Sequence, residues 1–331
     1  MEFVQISGTE LNASRIALGT WSIGGMMWGG TDEQDAIRTI RAALDRGINV
    51  IDTAPAYGWG KAEELLGKAL AESRRRDEVI VATKFGIEPR NGGLGRNSSR
   101  ERILKDVEDS LIRLRTNFID IYQVHWPDEN TPFEETAETL ALLKKQGKIL
   151  AVGVSNFTAR QIEHFRKITP VNTVQPPFNL FERRAERDLL PYTRQRRVTT
   201  LMYGPLCRGL LSGRISADTR FEGDDLRKQD PKFQPPRLHQ YLDAVQKLDR
   251  FAQENYGKRV VHLAMRWVLD QPGSDVALCG ARRPEHLDAI DGAMGWRLDA
   301  AAMRKIDGII RESVQEPVGP EFMAPPTEVA A

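Results

Sequence analysis

Residues 118–154 read FIDIYQVHWPDENTPFEETAETLALLKKQGKILAVGV. An apolar run, Phe118 to Val124, gives way to an amphipathic segment that reaches to about Gln146, and a second apolar run, Ile149 to Val154, follows it. Two short apolar runs joined by a segment of helical length predict a parallel strand–helix–strand unit. The pattern extends in both directions. Toward the N-terminus lie Val79 to Thr83, then Ile48 to Ile51 before a helix over Lys61 to Glu72, then Arg15 to Leu18 before a helix over Glu33 to Arg46. In that first helix Ala36, Ile37, Ile40, Ala43 and Leu44 repeat at helical spacing, with Asp32 as N-cap and Gly47 as the stop. The helix after Val79 to Thr83 opens on Ser98-Ser99-Arg100-Glu101, a capping-box pattern, and continues through Ile103, Val107, Leu111 and Leu114. Toward the C-terminus, Thr158 with Gln161 caps a fifth helix. Asn172 to Val174, Val198 to Met202 and Val276 to Leu278 supply the last three strands, and a helix is expected from about Pro284.

Eight strand-then-helix units in one chain predict a closed (β/α)₈ TIM barrel rather than a doubly wound sheet. The expectation is one domain over residues 1–331, with the barrel over 1–316 and a proline-rich tail over 317–331. Phe3 to Leu11 reads as a hairpin plugging the barrel bottom. Glu88 to Asn97, Gly/Asn-rich, and Arg214 to Pro236, polar and holding Pro231, Pro235 and Pro236, read as long loops on the C-terminal face.

Composition narrows the function classes. Lys plus Arg number 47 against 46 Asp plus Glu, so no general basic field points to nucleic acid. Forty per cent of residues are apolar and the mean hydropathy is −0.43, in keeping with a soluble globular chain and no membrane span. Only Cys207 and Cys279 are present, too few for a disulfide framework. The opening MEFVQISGTE has neither the basic nor the apolar region of a signal peptide, so a cytoplasmic location is expected.

Barrel enzymes carry their chemistry at the C-terminal ends of the strands. There the second strand ends in Asp52 and leads to Tyr57, the third ends in Lys84, and the fourth ends in His125. Each residue alone has an ordinary explanation: a turn cap, a solvated charge, a core histidine. Together they suit protonation of an alkoxide as it develops during hydride addition. A phenol titrates near 10, and a nearby ammonium would lower that value and make it a better acid. A carboxylate would hold the ammonium, and an imidazole would polarise a carbonyl. The five histidines (His125, His164, His239, His262, His286) show no metal-ligand spacing.

These residues resemble the aldo-keto reductase superfamily. The matching segments are Gly19-Thr20-Trp21, Asp52 to Gly58, Ala82-Thr83-Lys84, Gln123-Val124-His125-Trp126, Gly153-Val154-Ser155-Asn156-Phe157, Gln175, Tyr203-Gly204-Pro205-Leu206 and Gly280-Ala281-Arg282. They fall at the strand ends. The tail Pro317 to Pro326 adds similarity to the bacterial general-stress, YhdN-type branch. The resemblance implies an NADPH-dependent carbonyl reductase, EC 1.1.1.-, acting on aldehydes or ketones and expected to be a monomer. It implies a tetrad of Asp52, Tyr57, Lys84 and His125, with Tyr57 as acid. It also implies that Ser155, Asn156 and Gln175 hold the nicotinamide carboxamide, that Tyr203 stacks on its ring, and that Thr20, Trp21 and Asp52 lie close by. Gly204, Pro205, Leu206, Cys207, Arg208 and Gly209, with Arg214 and Arg227 beyond, would cover the pyrophosphate. Gly280, Ala281, Arg282, Arg283 and His286 would surround the adenosine phosphate, favouring NADPH over the weaker NADH, with one of the two arginines facing solvent. Trp21 and Trp126 would wall the substrate pocket beside Tyr57 and His125. Many relatives carry an Asn near position 290 that reads the adenine; Ile290 stands here, with Ala289 before it. Cys207 reads as a small buried residue rather than a redox thiol.

Two other functions remain open on the residues. Lys84 could serve a Schiff-base barrel aldolase, which would need neither Tyr57 nor His125. A non-catalytic nucleotide-binding redox sensor, like the channel-associated β subunits of the superfamily, could keep the tetrad.

Overall fold

In a computed structural model that describes residues 1–90 and 93–326, eight parallel strands close into a barrel. Numbered along the chain after an N-terminal pair, β1 (Phe3–Gln5) and β2 (Asn12–Ser14), they begin with β3 (Ile16–Gly19), β4 (Val50–Asp52) and β5 (Ile80–Phe85). An antiparallel hairpin follows, β6 (Ile87–Arg90) with β7 (Gly93–Arg96). The barrel continues with β8 (Ile119–Val124), β9 (Ile149–Ser155), β10 (Thr173–Gln175), β11 (Thr199–Tyr203) and β12 (Val276–Gly280), which pairs back to β3.

Strand alternation creates the site. Successive side chains leave a strand on opposite faces. One set, including Ile16, Leu18, Ile51, Val81, Val152 and Val154, packs outward against the helices in a large apolar core. The other set points inward: Ala17, Val50, Ala82, Ile121, Ala151, Leu201 and Val276 form a compact interior cluster with Ile6 from the N-terminal pair. Two residues further along, the same inward rows carry Asp52, Lys84, Gln123 and Gln175, which meet through hydrogen bonds. The barrel is thus apolar at its base and polar at its C-terminal end.

The outer helices include α1 (Glu33–Asp45), α2 (Lys61–Ser73), α3 (Arg100–Leu114), α4 (Phe133–Lys145), α5 (Ala159–Phe165) and α6 (Leu189–Arg196). Asp32 caps α1 through the Asp35 amide, and Thr158 with Gln161 forms a reciprocal box on α5. On α3 the cap is Ser99, one residue later than the capping-box pattern suggests, and the Ser99 hydroxyl accepts from the Arg102 amide without a reciprocal side-chain bond. Glu101 is therefore one position too early to close the box.

Three segments depart from expectation. Glu88 to Asn97 is not a loop: except for residues 91 and 92, which lie outside the described residues, it belongs largely to the β6–β7 hairpin. Its glycines give no apolar alternation to announce the strands, and Arg96 ties the hairpin to the rest of the face through the Pro325 and Pro127 carbonyls. The β11–β12 connection carries two helices, α7 (Arg237–Tyr256) and α8 (Val260–Asp270), where the eight-unit pattern implies one. After β12, Pro284 opens only a 3₁₀ turn and the four-residue α9 (Asp288–Asp291), and the long helix α10 (Ala300–Ser313) comes later. The N-terminal pair extends to Ser14, past the expected Leu11. The tail runs across the C-terminal face as far as Pro326, and residues 327–331 lie outside the described residues. Among the described residues no helix is long and apolar enough to cross a membrane.

Candidate active site

The turn after β4 sets Tyr57. The Thr53 amide continues the ladder to the Ala82 carbonyl, and the Tyr57 amide closes a turn on the Ala54 carbonyl. Glycine is required beside it. A Cβ on Gly24 would stand 2.5 Å from the Tyr57 backbone, and one on Gly58 would stand 2.2 Å from the Gly24 carbonyl oxygen. The loop after β3 and the Tyr57 turn therefore lie backbone to backbone, which fixes where the phenol sits.

Beneath the phenol is a buried polar knot. The Lys84 ammonium donates to Asp52 Oδ1 at 2.6 Å, to the Thr53 carbonyl at 2.9 Å and to the Tyr57 hydroxyl at 3.0 Å. Asp52 Oδ2 accepts from Gln175 Nε2 at 2.7 Å and Gln123 Nε2 at 3.3 Å. Lys84 is wholly buried and Asp52 is 2 % exposed, so the pair is shielded from water. The His125 ring stands edge-on to Tyr57 with centroids 5.8 Å apart, and Trp21 stacks on the other side at 6.0 Å.

Burial controls the protonation states. It raises the Tyr57 phenol well above its ordinary range, with the Asp52 charge adding to the rise. This is opposite to the expected lowering by the ammonium: loss of water penalises the phenolate, and the carboxylate behind Lys84 counters its charge. Burial also lowers Lys84 from 10.5, opposed by Asp52. His125 falls well below 6.5 through burial and the Lys84 charge, so it is a neutral imidazole. The resting site therefore holds a protonated phenol that receives a hydrogen bond on its oxygen, next to an uncharged imidazole.

These groups floor one end of a cleft of about 430 Å³. Tyr57, His125, Trp21, Trp126, Trp28, Ile87, Leu94, Met323 and Pro325 surround that end. Ser155, Asn156, Gln175 and Tyr203 line its middle. Asn156 adopts φ 63°, a left-handed conformation that Asn tolerates well, and ties three strand ends together. Its amide nitrogen donates to the His125 carbonyl at 3.0 Å and to Ser155 Oγ at 3.1 Å, and its oxygen accepts from the Tyr203 hydroxyl at 3.0 Å.

The far end is basic and loop-built. Gly204, Pro205, Leu206, Arg208, Gly209, Arg214, Arg227, Gly280, Arg282 and His286 line it, together with Glu285 and Ala289. Arg282 donates to the Trp28 carbonyl at 2.7 Å, and Arg227 pairs with Asp225 at 2.6 Å and lies over Trp28 and Phe221. Burial, then the charges of Arg227 and Arg283, lower Arg282. Such mutual repulsion among cations at a cleft suits an anionic ligand. Glycines at 204, 209 and 280 would each leave a Cβ clear of close contact, so the backbone is open to approach.

Four residues expected at the cofactor stand off the cleft. The Thr20 hydroxyl is spent on the Asp52 carbonyl at 2.9 Å. Ala281 is buried. Cys207 is buried, and its thiol is pushed up to about 12, which leaves it unreactive. The Arg283 side chain is 62 % exposed, 3.4 Å from Asp35. Arg208 lines the cleft, but its guanidinium is bound inward to Glu182 and Asp230. In the opposite sense, Trp28, Ile87 and Leu94 line the cleft without any motif to mark them. Gln123, Met323 and Pro325 lie in segments that match the family, but no role was expected of them; for Gln123 the inward spacing after Ile121 is the signal that could have given one.

Comparison with known proteins agrees with this geometry. The Aldo/keto reductase family model matches residues 15–311. The chain is 55 % identical to the aldo-keto reductase YhdN of Bacillus subtilis over 99 % of each protein. It is 34 % identical to the NADH-specific methylglyoxal reductase of Escherichia coli, over 92 % of this chain and 98 % of that protein. It is 31 % identical to the Schizosaccharomyces pombe aldo-keto reductase yakc [NADP(+)], over 85 % and 84 %. The solved structure of glycerol dehydrogenase AKR11B4 from Gluconobacter oxydans superimposes with a TM-score of 0.87 at 47 % identity, covering 97 % of this chain and 99 % of that one. The barrel, the strand-end residues and these full-length matches place the chain in the aldo/keto reductase family, oxidoreductases that act on carbonyls with a nicotinamide cofactor.

Proposed function

We propose that this chain is an NADPH-dependent reductase of aldehydes and ketones in which Tyr57 delivers the proton. The observation that carries the reading is the Tyr57 hydroxyl itself, facing the cleft beside His125 while Lys84 donates to it from below at 3.0 Å. Bound nicotinamide would supply hydride, and Ser155, Asn156, Gln175 and Tyr203, which line the cleft, would hold its ring and carboxamide. Tyr57 stays protonated until negative charge builds on the substrate oxygen, and then gives up its proton. Lys84 favours the phenolate as it forms, Asp52 keeps the ammonium in place, and neutral His125 orients the carbonyl.

The preference for NADPH rests on Arg282, whose planar donors suit a phosphate at the basic end of the cleft. The names of the relatives divide on this point, one being NADH-specific and one NADP(+)-dependent, so the arginine rather than the family supports the choice. Packing from Ala289, which lines the cleft, would take the place of an adenine-reading Asn. The Schiff-base alternative is disfavoured because the Lys84 amine is wholly buried and engaged by three oxygens.

The test is titration of reduced-nicotinamide fluorescence with NADPH and then NADH, followed by turnover on a panel of aldehydes and ketones. Tighter NADPH binding with oxidation on a carbonyl is expected. NADPH binding without turnover on any carbonyl would favour the redox-sensor reading, and failure to bind either nucleotide would overturn the proposal.

A further inference from the structure

We infer that Arg96 is a positioning residue for substrate specificity: it pins the C-terminal tail as the far wall of the substrate pocket, and that wall selects carbonyl compounds with an apolar aryl or branched alkyl substituent. The inference rests on the reductase reading above.

Arg96 ends β7 and is 8 % exposed. Its guanidinium donates twice to the Pro325 carbonyl, at 2.6 and 3.1 Å, and once to the Pro127 carbonyl at 2.9 Å. It lies over the Trp126 ring at 5.2 Å. Asp128 and Glu129 are near enough to be felt, yet no carboxylate among the described residues pairs with it. A cation removed from water without a counter-ion is costly unless its donors are used. Here the donors described go to two backbone carbonyls and the face to an indole, a geometry that a planar fork can meet and a point charge cannot.

The consequence lies at the pocket. Leu94 from the same hairpin, Trp126 beneath the guanidinium, and Met323 and Pro325 from the tail all line the cleft that holds Tyr57, and Trp126 directly follows His125 in the chain. The tail is anchored further back by Lys232, which donates to the Gly319 carbonyl at 2.9 Å, and by the Val318 amide, which donates to the Tyr241 hydroxyl at 3.2 Å. Between Gly319 and Arg96 the strap is a short turn, Glu321–Met323. Arg96 is thus the anchor on the pocket side, and the wall it holds offers apolar contact. A substrate with an aryl or branched alkyl group has apolar area to place against that wall, and a small dicarbonyl has little.

The experiment compares benzaldehyde with methylglyoxal in wild type, Arg96→Ala, Met323→Ala and the double variant, with the NADPH dissociation constant measured for each. Arg96→Ala is expected to raise the KM for benzaldehyde about tenfold, the scale of a lost apolar contact. The KM for methylglyoxal should change less than about twofold, and NADPH affinity should hold. Adding Met323→Ala to Arg96→Ala should change little, because both act on one wall. Equal KM rises for both carbonyls, or additive effects, would overturn the assignment. If Arg96→Ala does not fold, Met323→Ala alone must reproduce the selective rise, and its failure to do so would sink the inference. Wild-type protein that binds NADPH and turns over neither these two carbonyls nor any other of the panel would overturn the reductase reading itself, a distinct result; turnover of methylglyoxal or other small carbonyls with none of benzaldehyde would overturn this inference alone.

Discussion

The two ends of the cleft are built on different principles. At the reacting end Asp52, Lys84, Gln123 and Gln175 sit on barrel strands, and Tyr57 and His125 follow a strand end within a few residues. Their positions come from the ladder, and their side chains are buried and mutually bonded. At the basic end Arg214, Arg227, Arg282 and His286 sit on connections, Arg214 exposed and the other three part-buried, and Arg227 is paired with Asp225. Order there comes from a buried charge cluster: Glu182 takes Arg208 and Lys232, the latter at 2.8 Å, and Asp230 takes Arg208 at 2.6 Å. That cluster joins the segment after β11, the long 214–236 connection and, through Gly319, the tail. The first end is rigid for chemistry; the second is held at its roots and exposes cations at its surface.

Substitutions can break this contrast or sharpen it. The largest effect is expected from Tyr57→Phe, which removes the proton and should lower kcat roughly 10²- to 10⁴-fold. NADPH affinity, measured by fluorescence, should be unchanged, because the basic end of the cleft is untouched. Near-wild-type turnover would mean the reacting end has been misassigned.

Lys84→Met comes next, with a loss in kcat on the order of 10²-fold. It should also cost about 3–5 kcal/mol of stability in denaturant unfolding, because it leaves Asp52 buried without its cation. The wild-type pH profile should be level through 6.5, since His125 titrates well below that value, and should fall on the alkaline side before 10.5 as the burial-lowered Lys84 loses its proton. In the variant that alkaline limb should vanish; a profile identical to wild type would separate Lys84 from the acid.

At the other end, Arg282→Ala should raise the KM for NADPH about 10- to 100-fold, the range of a lost charged hydrogen bond. The KM for NADH should move far less and kcat should hold. Equal changes for the two cofactors would show that Arg282 does not read the phosphate. The smallest effect is expected from Arg283→Ala, within about twofold for either cofactor, because that side chain is mostly exposed against Asp35.

The same contrast governs what could be read in advance. The tetrad was legible because period-two strands carry an inward row from apolar to polar residues, so Asp52 after Val50 and Lys84 after Ala82 point to one place. Asn156 could be named from its motif, but its bonds to the His125 carbonyl and the Tyr203 hydroxyl belong to three strands far apart in sequence. Leu94, Met323 and Pro325 were legible only through their segments, Glu88 to Asn97 and the tail, and not as individual wall residues. Glycine-rich and proline-rich segments have no periodicity, and their order depends on Arg96, more than 200 residues from its partner.

The sequence by itself determined the eight-unit barrel, its apolar core and the convergence of Asp52, Tyr57, Lys84 and His125 at one end of it, because alternation and helical spacing are local and repeat. Only the tertiary structure decided the protonation states and the walls. Burial, not the neighbouring ammonium, sets the direction of the Tyr57 shift. The pocket is closed by a tail and a hairpin whose contacts arise only once the barrel has brought distant segments to one face. Desolvation and long-range packing depend on what surrounds a residue in space, and no window of sequence contains that.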